Sequence, residues 1–351
     1  MGAATLTISA IDQSMEEAAS KEASRYHLGY SLIGEECTRK LWYTFRWADS
    51  TKHPGRLLRL FARGQNEEAS FVHYLKRAGV TVWDEDPETG QQFQVSPEEC
   101  GGHFGGSLDG VGMGFREDPG AAMVIEMKTS ADKPFKDLVK NGVKISKPQH
   151  WAQMAGYMHQ MGLPKAFYIA VNKNNDEFYS EIVEADDQFA ESLIARAKHV
   201  ITSDRPLAKM SEDPSFYKCK WCDFNDVCHN IKTPRMNCRT CIHSTAELDG
   251  TARWSCAKHD KGLNGQDQLI GCDDHLFIPD LLANFATVVE YSESDGTVIY
   301  ENRLNGHRFF TNGTKPGNYL SREIAAAADA KVLGDELADT FKEKFQAEVI
   351  A

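Results

Sequence analysis

The chain has 351 residues, 41% hydrophobic and 26% charged, with a formal net charge of −12. That size and mix suit roughly two folded domains and exclude a disordered or collagen-like chain. They also exclude a membrane-spanning one, since no window approaches the ~18 apolar residues a span needs. The negative charge excludes a generic polyanion binder with a basic surface, but not nucleic acid held in a locally basic channel.

The first 30 residues are polar and rich in Ala, Glu and Ser, with a weak helical pattern over 14–26. They lack the basic and apolar stretches of a secretory signal, so a cytoplasmic location is expected, in a host's cytoplasm if the chain is phage-encoded. A short amphipathic helix is predicted over 35–47 and a longer one over 54–78. In the latter, Leu57, Leu58, Phe61, Phe71, Val72 and Leu75 form an apolar stripe, Pro54 suits the first turn and Gly79 ends it. Strands follow over 80–83 and 91–95, then a Gly-rich extended stretch over 102–114. The apolar run 123–127 reads as a strand buried on both faces. A helix over 149–161, strands over 166–171 and 178–183 and a helix over 186–202 complete an α/β core.

After Pro206 the texture changes: 213–275 is rich in Cys, Asp and His and poor in long apolar runs. A hairpin is expected over 286–303, around Ser294-Asp295-Gly296, and helix over 321–349. The expected organisation is an extension (1–30), a core closed by a cysteine staple (31–232), a zinc-binding region (233–280) and a C-terminal hairpin with a helical tail (281–351).

Two stretches are locally basic. Lys52, Arg56, Arg59 and Arg63 stand without an acid between 51 and 66, and six lysines between 128 and 147 face only Asp132 and Asp137. Either these are solvated helix faces or they are walls for phosphates.

Three residues of the core could carry chemistry. Asp109 lies in Gly105-Gly106-Ser107-Leu108-Asp109-Gly110, and Glu126 and Lys128 follow 17 and 19 residues later at the end of the apolar strand. Positions i and i+2 of a strand share a face, so Glu126 and Lys128 project together. Two carboxylates suit a hard cation such as Mg2+, and a lysine can orient an attacking water and stabilise a phosphoryl transition state. Alone, the three could equally be a strand-end ion pair.

Further residues complete a pattern. Gly64-Gln65-Asn66-Glu67-Glu68 lies on the long helix, and Gln149, Gln153 and Tyr157 fall at i, i+4 and i+8 of a later one. The order helix acid, strand Asp, strand Glu-x-Lys, helix Gln-x3-Tyr resembles the PD-(D/E)XK nuclease superfamily, in its RecB-like and phage (YqaJ/lambda exonuclease) branches. The resemblance spans about residues 31–205. It implies a restriction-endonuclease-like α/β core with a mixed central sheet flanked by helices. Asp109, Glu126 and the Met127 carbonyl would hold Mg2+ or Mn2+, Lys128 would be the catalytic lysine, Gln153 would support the site and contact DNA, and Tyr157 would line the same face. The helix acid is Glu67 or Glu68, with Glu68 preferred and His73 an alternative. RecB-like enzymes often place a histidine where Glu67 stands, a departure at that position.

Seven of nine cysteines fall between 219 and 272. Cys219, Cys222 and Cys228 give C-x2-C-x5-C, with Cys37 the candidate fourth ligand. Spacing alone leaves iron–sulfur, zinc and free thiols open. The set resembles the AddB-type and CRISPR-adaptation nucleases, which implies a structural [4Fe-4S] cluster. Cys238, Cys241, Cys256 and Cys272 give C-x2-C-x14-C-x15-C, which resembles a zinc ribbon, with His243, His259 or His275 as substitutes for a cysteine.

The leading expectation is a Mg2+-dependent DNA exonuclease in recombination, repair or phage DNA processing. Its partners would be DNA and a single-strand annealing or other recombination protein, with no membrane. The alternatives are an inactive nuclease-fold DNA-binding or assembly factor, and an endonuclease or CRISPR-adaptation nuclease.

Overall fold

The computed structural model describes residues 5–21, 25–50, 52–327 and 329–350. Part of the N-terminal extension and the first position of the basic stretch 51–66 lie outside them.

In chain order the elements are α1 (Thr5–Lys21), β1 (Leu28–Gly29), α2 (Tyr30–Ile33), α3 (Thr38–Arg46), α4 (Gly55–Arg77), β2 (Thr81–Trp83) and β3 (Gln94–Val95). Then come β4 (Phe104–Ser107), β5 (Gly110–Met113), β6 (Met123–Ser130), α5 (Asp132–Ser146), α6 (Pro148–Met161), β7 (Lys165–Asn172), β8 (Phe178–Glu184) and α7 (Asp187–Thr202). The remainder is α8 (Asn225–His229), β9 (Ser244–Ala246), β10 (Trp254–Cys256), β11 (Lys261–Leu263), α9 (Gly265–Ile270), β12 (Ala286–Ser292), β13 (Thr297–Asn302), β14 (Arg308–Asn312), α10 (Ser321–Ala326) and α11 (Glu336–Phe345). The chain divides into two compact units, Met1–Gly34 with Lys52–Lys198, and Glu35–Thr51 with His199–Ala351.

The first unit is built on a mixed five-stranded sheet in the order β2-β5-β6-β7-β8. β6 and β7 run parallel, which requires a long crossover, and α5 and α6 supply it. The other pairs in this sheet are antiparallel. Phe71 and Leu75 of α4 pack with Ile125, Met127, Phe167 and Ile169 against one face. Alternation therefore turns Val124, Glu126 and Lys128 to the opposite face, toward α6.

The stretch 102–114 is split rather than continuous. β4 pairs with β1 and β3 in a second sheet, whereas β5 pairs with β2 and β6. The chain changes sheets at Leu108–Asp109. Glycine permits the close approaches there: a Cβ on Gly105 would lie 2.6 Å from the Val95 carbonyl oxygen, and one on Gly106 2.6 Å from Tyr157 Oη.

Helix α1 runs well ahead of its weak pattern and has no buried residue. Its side chains dock on α4: Glu16 accepts the Gly55 N–H (2.7 Å) and Asp12 pairs with Arg59. The basic stretch thus acquires acids from a distant segment. α5 holds the second lysine cluster and kinks at Gly142 (φ 73°).

The second unit carries the sheets β9-β10-β11 and β12-β13-β14, the last strand extending the expected hairpin. Arg239 is buried between Trp47 (3.6 Å) and Trp254 (4.8 Å), and donates to Gln268 Oε1 and the Phe45 carbonyl. The expected helix over 321–349 is two short ones. Between them Gly334 takes φ 78°, where a Cβ would lie 2.5 Å from the Phe309 carbonyl oxygen. Among the described residues no helix is long and apolar enough to cross a membrane.

Candidate active site

The site forms where two strands part. The β5–β6 ladder runs as far as Gly110 opposite Ile125, while β6 continues beside β7 to Ser130. Beyond Ile125 the Asp109 side chain takes over: its Oδ2 accepts the Met127 N–H at 2.8 Å. The gap between the strands is thus pinned by a carboxylate.

Lys128 reaches into this gap. Its ammonium lies 2.5 Å from Glu126 Oε1, 3.4 Å from Asp109 Oδ2 and 3.1 Å from the Met127 carbonyl oxygen. Glu126 is fully buried; its Oε1 meets the Lys128 ammonium, and its Oε2 has no hydrogen-bond partner among the described residues. Burial pushes its carboxyl up to about 7; Lys128 opposes this, and Asp109 and Glu68 reinforce it. The two carboxylates in turn hold the Lys128 ammonium charged against the opposing effect of burial.

Glu68, half-buried on α4, is the helix acid coupled to this group. Burial and then Asp109 raise its carboxyl, and Lys128 opposes them. Glu67 lies one residue earlier, about 100° round the helix. Gln153 and Tyr157 are buried on α6. Gln153 Nε2 donates to Tyr157 Oη (3.3 Å), which donates to the Ser107 carbonyl (2.8 Å), two residues before Asp109. This chain fixes the end of β4, two residues before Asp109.

A buried carboxylate with one unmet oxygen, a second carboxylate, a carbonyl and a half-buried third acid are oxygen donors of the kind a hard divalent cation takes. Lys128 offsets part of their charge.

The cysteines lie in the second unit, Cys100 apart. Cys37 caps the start of α3. Burial raises the thiols of Cys219, Cys222 and Cys228, and the charge of Cys37 adds to the rise in each; among the described residues these four do not gather three donor atoms within 4.8 Å of one another. Burial, then Cys272 and Cys256, push the Cys238 thiol up to about 11, and burial pushes Cys241 up to about 12. Cys238 Sγ also donates to the Asp267 carbonyl (3.1 Å). Cys272 is exposed, and His259, Cys272 and Asp274 place one donor atom each within 4.8 Å of one another. His275 points Nε2 at the Asn237 carbonyl oxygen (3.0 Å).

The PD-(D/E)XK nuclease superfamily model matches residues 11–229, more than half of the chain. The chain belongs to the PD-(D/E)XK nuclease superfamily. The matched region takes in both carboxylate strands, α6 and the first cysteine set, and ends before Cys238. Among solved structures, the chain is similar to the alkaline exonuclease LHK-Exo of Laribacter hongkongensis, at 16% identity and a TM-score of 0.34 over 54% of this chain and 90% of that one. LHK-Exo in complex with dAMP matches at 13% identity and a TM-score of 0.34, over 55% and 90%. The protein SSO0001 matches at 14% and 0.37, over 64% and 96%. No curated protein matches the chain significantly.

The superfamily pattern singled out Gln153 and Tyr157 but not His150, which the fold brings to the same site. Its Nδ1 lies 3.0 Å from Tyr168 Oη, and burial and then the charge of Lys128 push it down to about 3. The legible signal was the spacing of His150, Gln153 and Tyr157 at i, i+3 and i+7; Gln149, chosen instead, is exposed.

Proposed function

We propose that this superfamily member is a metal-dependent DNA nuclease, acting as an exonuclease on DNA ends in recombination, repair or phage DNA processing. The observation that carries the reading is Glu126, a fully buried carboxylate whose Oε1 meets Lys128 and whose Oε2 has no partner among the described residues, set beside Asp109. A buried charge with unmet acceptors is costly and is kept where a ligand completes it.

Asp109, Glu126, Glu68 and the Met127 carbonyl would hold Mg2+ or Mn2+. When bound, such a cation lowers the pKa of an attacking water and offsets charge on the phosphate. Lys128 orients that water and donates to the transition-state oxygens. The Gln153–Tyr157–Ser107 chain holds Asp109 in place. Arg56 and Arg63 of α4 and the lysines of α5 face the phosphates.

The first cysteine set holds a [4Fe-4S] cluster in this reading, supported by the C-x2-C-x5-C spacing of Cys219, Cys222 and Cys228 and by the electrostatic influence of Cys37 on each. The second holds zinc through Cys238, Cys241, Cys256 and Cys272. A single-strand annealing or other recombination protein is the expected partner.

The test is cleavage of end-labelled linear and closed-circular DNA with Mg2+, Mn2+ or EDTA, beside Lys128→Ala. Metal-dependent loss of linear DNA, reduced roughly a thousandfold by the variant, is expected. Cutting of closed circles indicates an endonuclease. Binding without cleavage by folded, metal-replete protein indicates an inactive DNA-binding factor.

A further inference from the structure

His150 and Tyr168 stand beside the candidate site, and the superfamily pattern assigns neither a part in it. Tyr168 lies on β7 directly opposite Glu126 of the parallel strand β6, and Ala170 lies opposite Lys128. Glu126, Lys128 and Tyr168 therefore share one face of the sheet, with only a methyl group opposite the lysine. Helix α6 covers that face and brings down His150, whose ring stacks on Tyr168 (centroids 5.8 Å apart, planes at 30°).

We infer that His150 and Tyr168 are a positioning pair for Lys128: the imidazole orients the phenol, and the phenol oxygen holds the ammonium in register with the attacking water.

Two observations support the pair. Tyr168 is 1% exposed, and the hydroxyl of a buried tyrosine needs a partner, which His150 Nδ1 supplies at 3.0 Å. The charge of Lys128 acts on both residues: after burial it is the next influence on His150 and on Tyr168. His150 is therefore neutral beside the ammonium, and a neutral imidazole with Nδ1 facing a hydroxyl serves as its acceptor. With its proton given to Nδ1, Tyr168 Oη turns lone pairs outward.

This arrangement answers a need of the proposed site, and the inference rests on that reading. The Lys128 ammonium has three N–H donors, and its partners are Glu126, Asp109 and the Met127 carbonyl. Those same oxygens are the ones that would hold a cation, and an oxygen that gives its lone pairs to a cation has less to give the lysine. A neutral phenol oxygen does not compete for the cation and remains available to the ammonium.

The experiment compares Tyr168→Phe, His150→Leu, His150→Asn and the double variant Tyr168→Phe/His150→Leu with wild type and Lys128→Ala. Each folded protein is assayed on linear DNA with Mg2+. Tyr168→Phe and His150→Leu should each lower kcat about tenfold with KM within about twofold, as loss of one oriented hydrogen bond does. The double variant should lose no more than either single one, since the residues act as a unit. His150→Asn keeps a polar atom near the Nδ1 position and should recover most of the rate. In metal-free protein, nitrogen-15 NMR should show the His150 ring neutral with Nδ1 unprotonated, a state altered in Tyr168→Phe. Wild-type kcat in both single variants while Lys128→Ala is inactive would overturn the pair, as would losses that multiply. If wild type cleaves no DNA, or Lys128→Ala cleaves normally, the nuclease reading fails. The NMR measurement then decides the pairing by itself, and a protonated Nδ1 overturns it.

Discussion

Glu126 shows the conflict at residue scale. A carboxylate in the sheet interior costs stability, and its single close cation, Lys128, is shared with Asp109. Burial raises its carboxyl from 4.5 to about 7 in the folded chain. A group raised on folding contributes stability below its unfolded value near 4.5, and that contribution is lost as pH rises through about 7. In EDTA the melting temperature of the wild type should therefore fall between pH 5 and pH 8, by up to about 3 kcal/mol of stability. Glu126→Gln should flatten that slope and be the more stable protein at pH 8, while Mg2+ no longer raises its melting temperature. An unchanged slope in the variant would mean that Glu126 is not the buried acid at fault.

At the scale of elements, what matters is how α6 grips the end of β4. Tyr157 reaches the Ser107 carbonyl only because position 106 is glycine, and an added Cβ would lie 2.6 Å from the phenol oxygen. Gly106→Ala should cost about 1–3 kcal/mol by overpacking and should lower kcat through the displaced Asp109. In a Tyr157→Phe background, which lacks the clashing oxygen, the same substitution should cost less. Chemical denaturation of the four proteins measures the coupling, and purely additive costs would sever Tyr157 from Gly106. The element scale also limited what could be read in advance. The periodicity of 54–78 and the apolar run 123–127 located α4 and β6, because each follows one period throughout. The stretch 102–114 has glycine at six of its positions and no period to follow, so the change of sheet at Asp109 was not legible. Helix α5 was hidden for a related reason: its lysines are exposed and Gly142 interrupts its pattern.

For the whole molecule, a cluster on the first cysteine set would join distant segments of the chain. Cys37 and Cys219 are separated by 182 positions, and closing so long a loop removes more entropy from the unfolded chain than closing a short one. If the first set holds a [4Fe-4S] cluster, anaerobically purified protein should be brown, with an absorbance shoulder near ~400 nm. Cys219→Ser should lose iron and unfold at a lower temperature. Colourless wild type with zinc in both sets would refute the cluster. In the second set, His259 and Asp274 lie by Cys272 and join the cysteines as candidate donors. Sequence spacing had offered three histidines without a basis for choosing; His275 is turned toward Asn237, and His259 is the one beside Cys272.

The sequence by itself determined the family and the strand that bears the candidate Glu126 and Lys128. Glu126 and Lys128 are two residues apart on one strand, so alternation alone puts them on one face. Local periodicity likewise placed α4, β6, β7 and α6, because burial of an apolar stripe leaves its mark at fixed spacing. Tertiary structure alone set Glu68 within the electrostatic reach of Asp109 and Lys128, since that depends on which way α4 is rotated against the parted strands. It also decided that Asp12 and Glu16 answer the basic start of α4, and that His150 meets Tyr168. Those contacts join residues between 18 and 47 positions apart, and their geometry is set by how helices and sheets pack rather than by any local pattern.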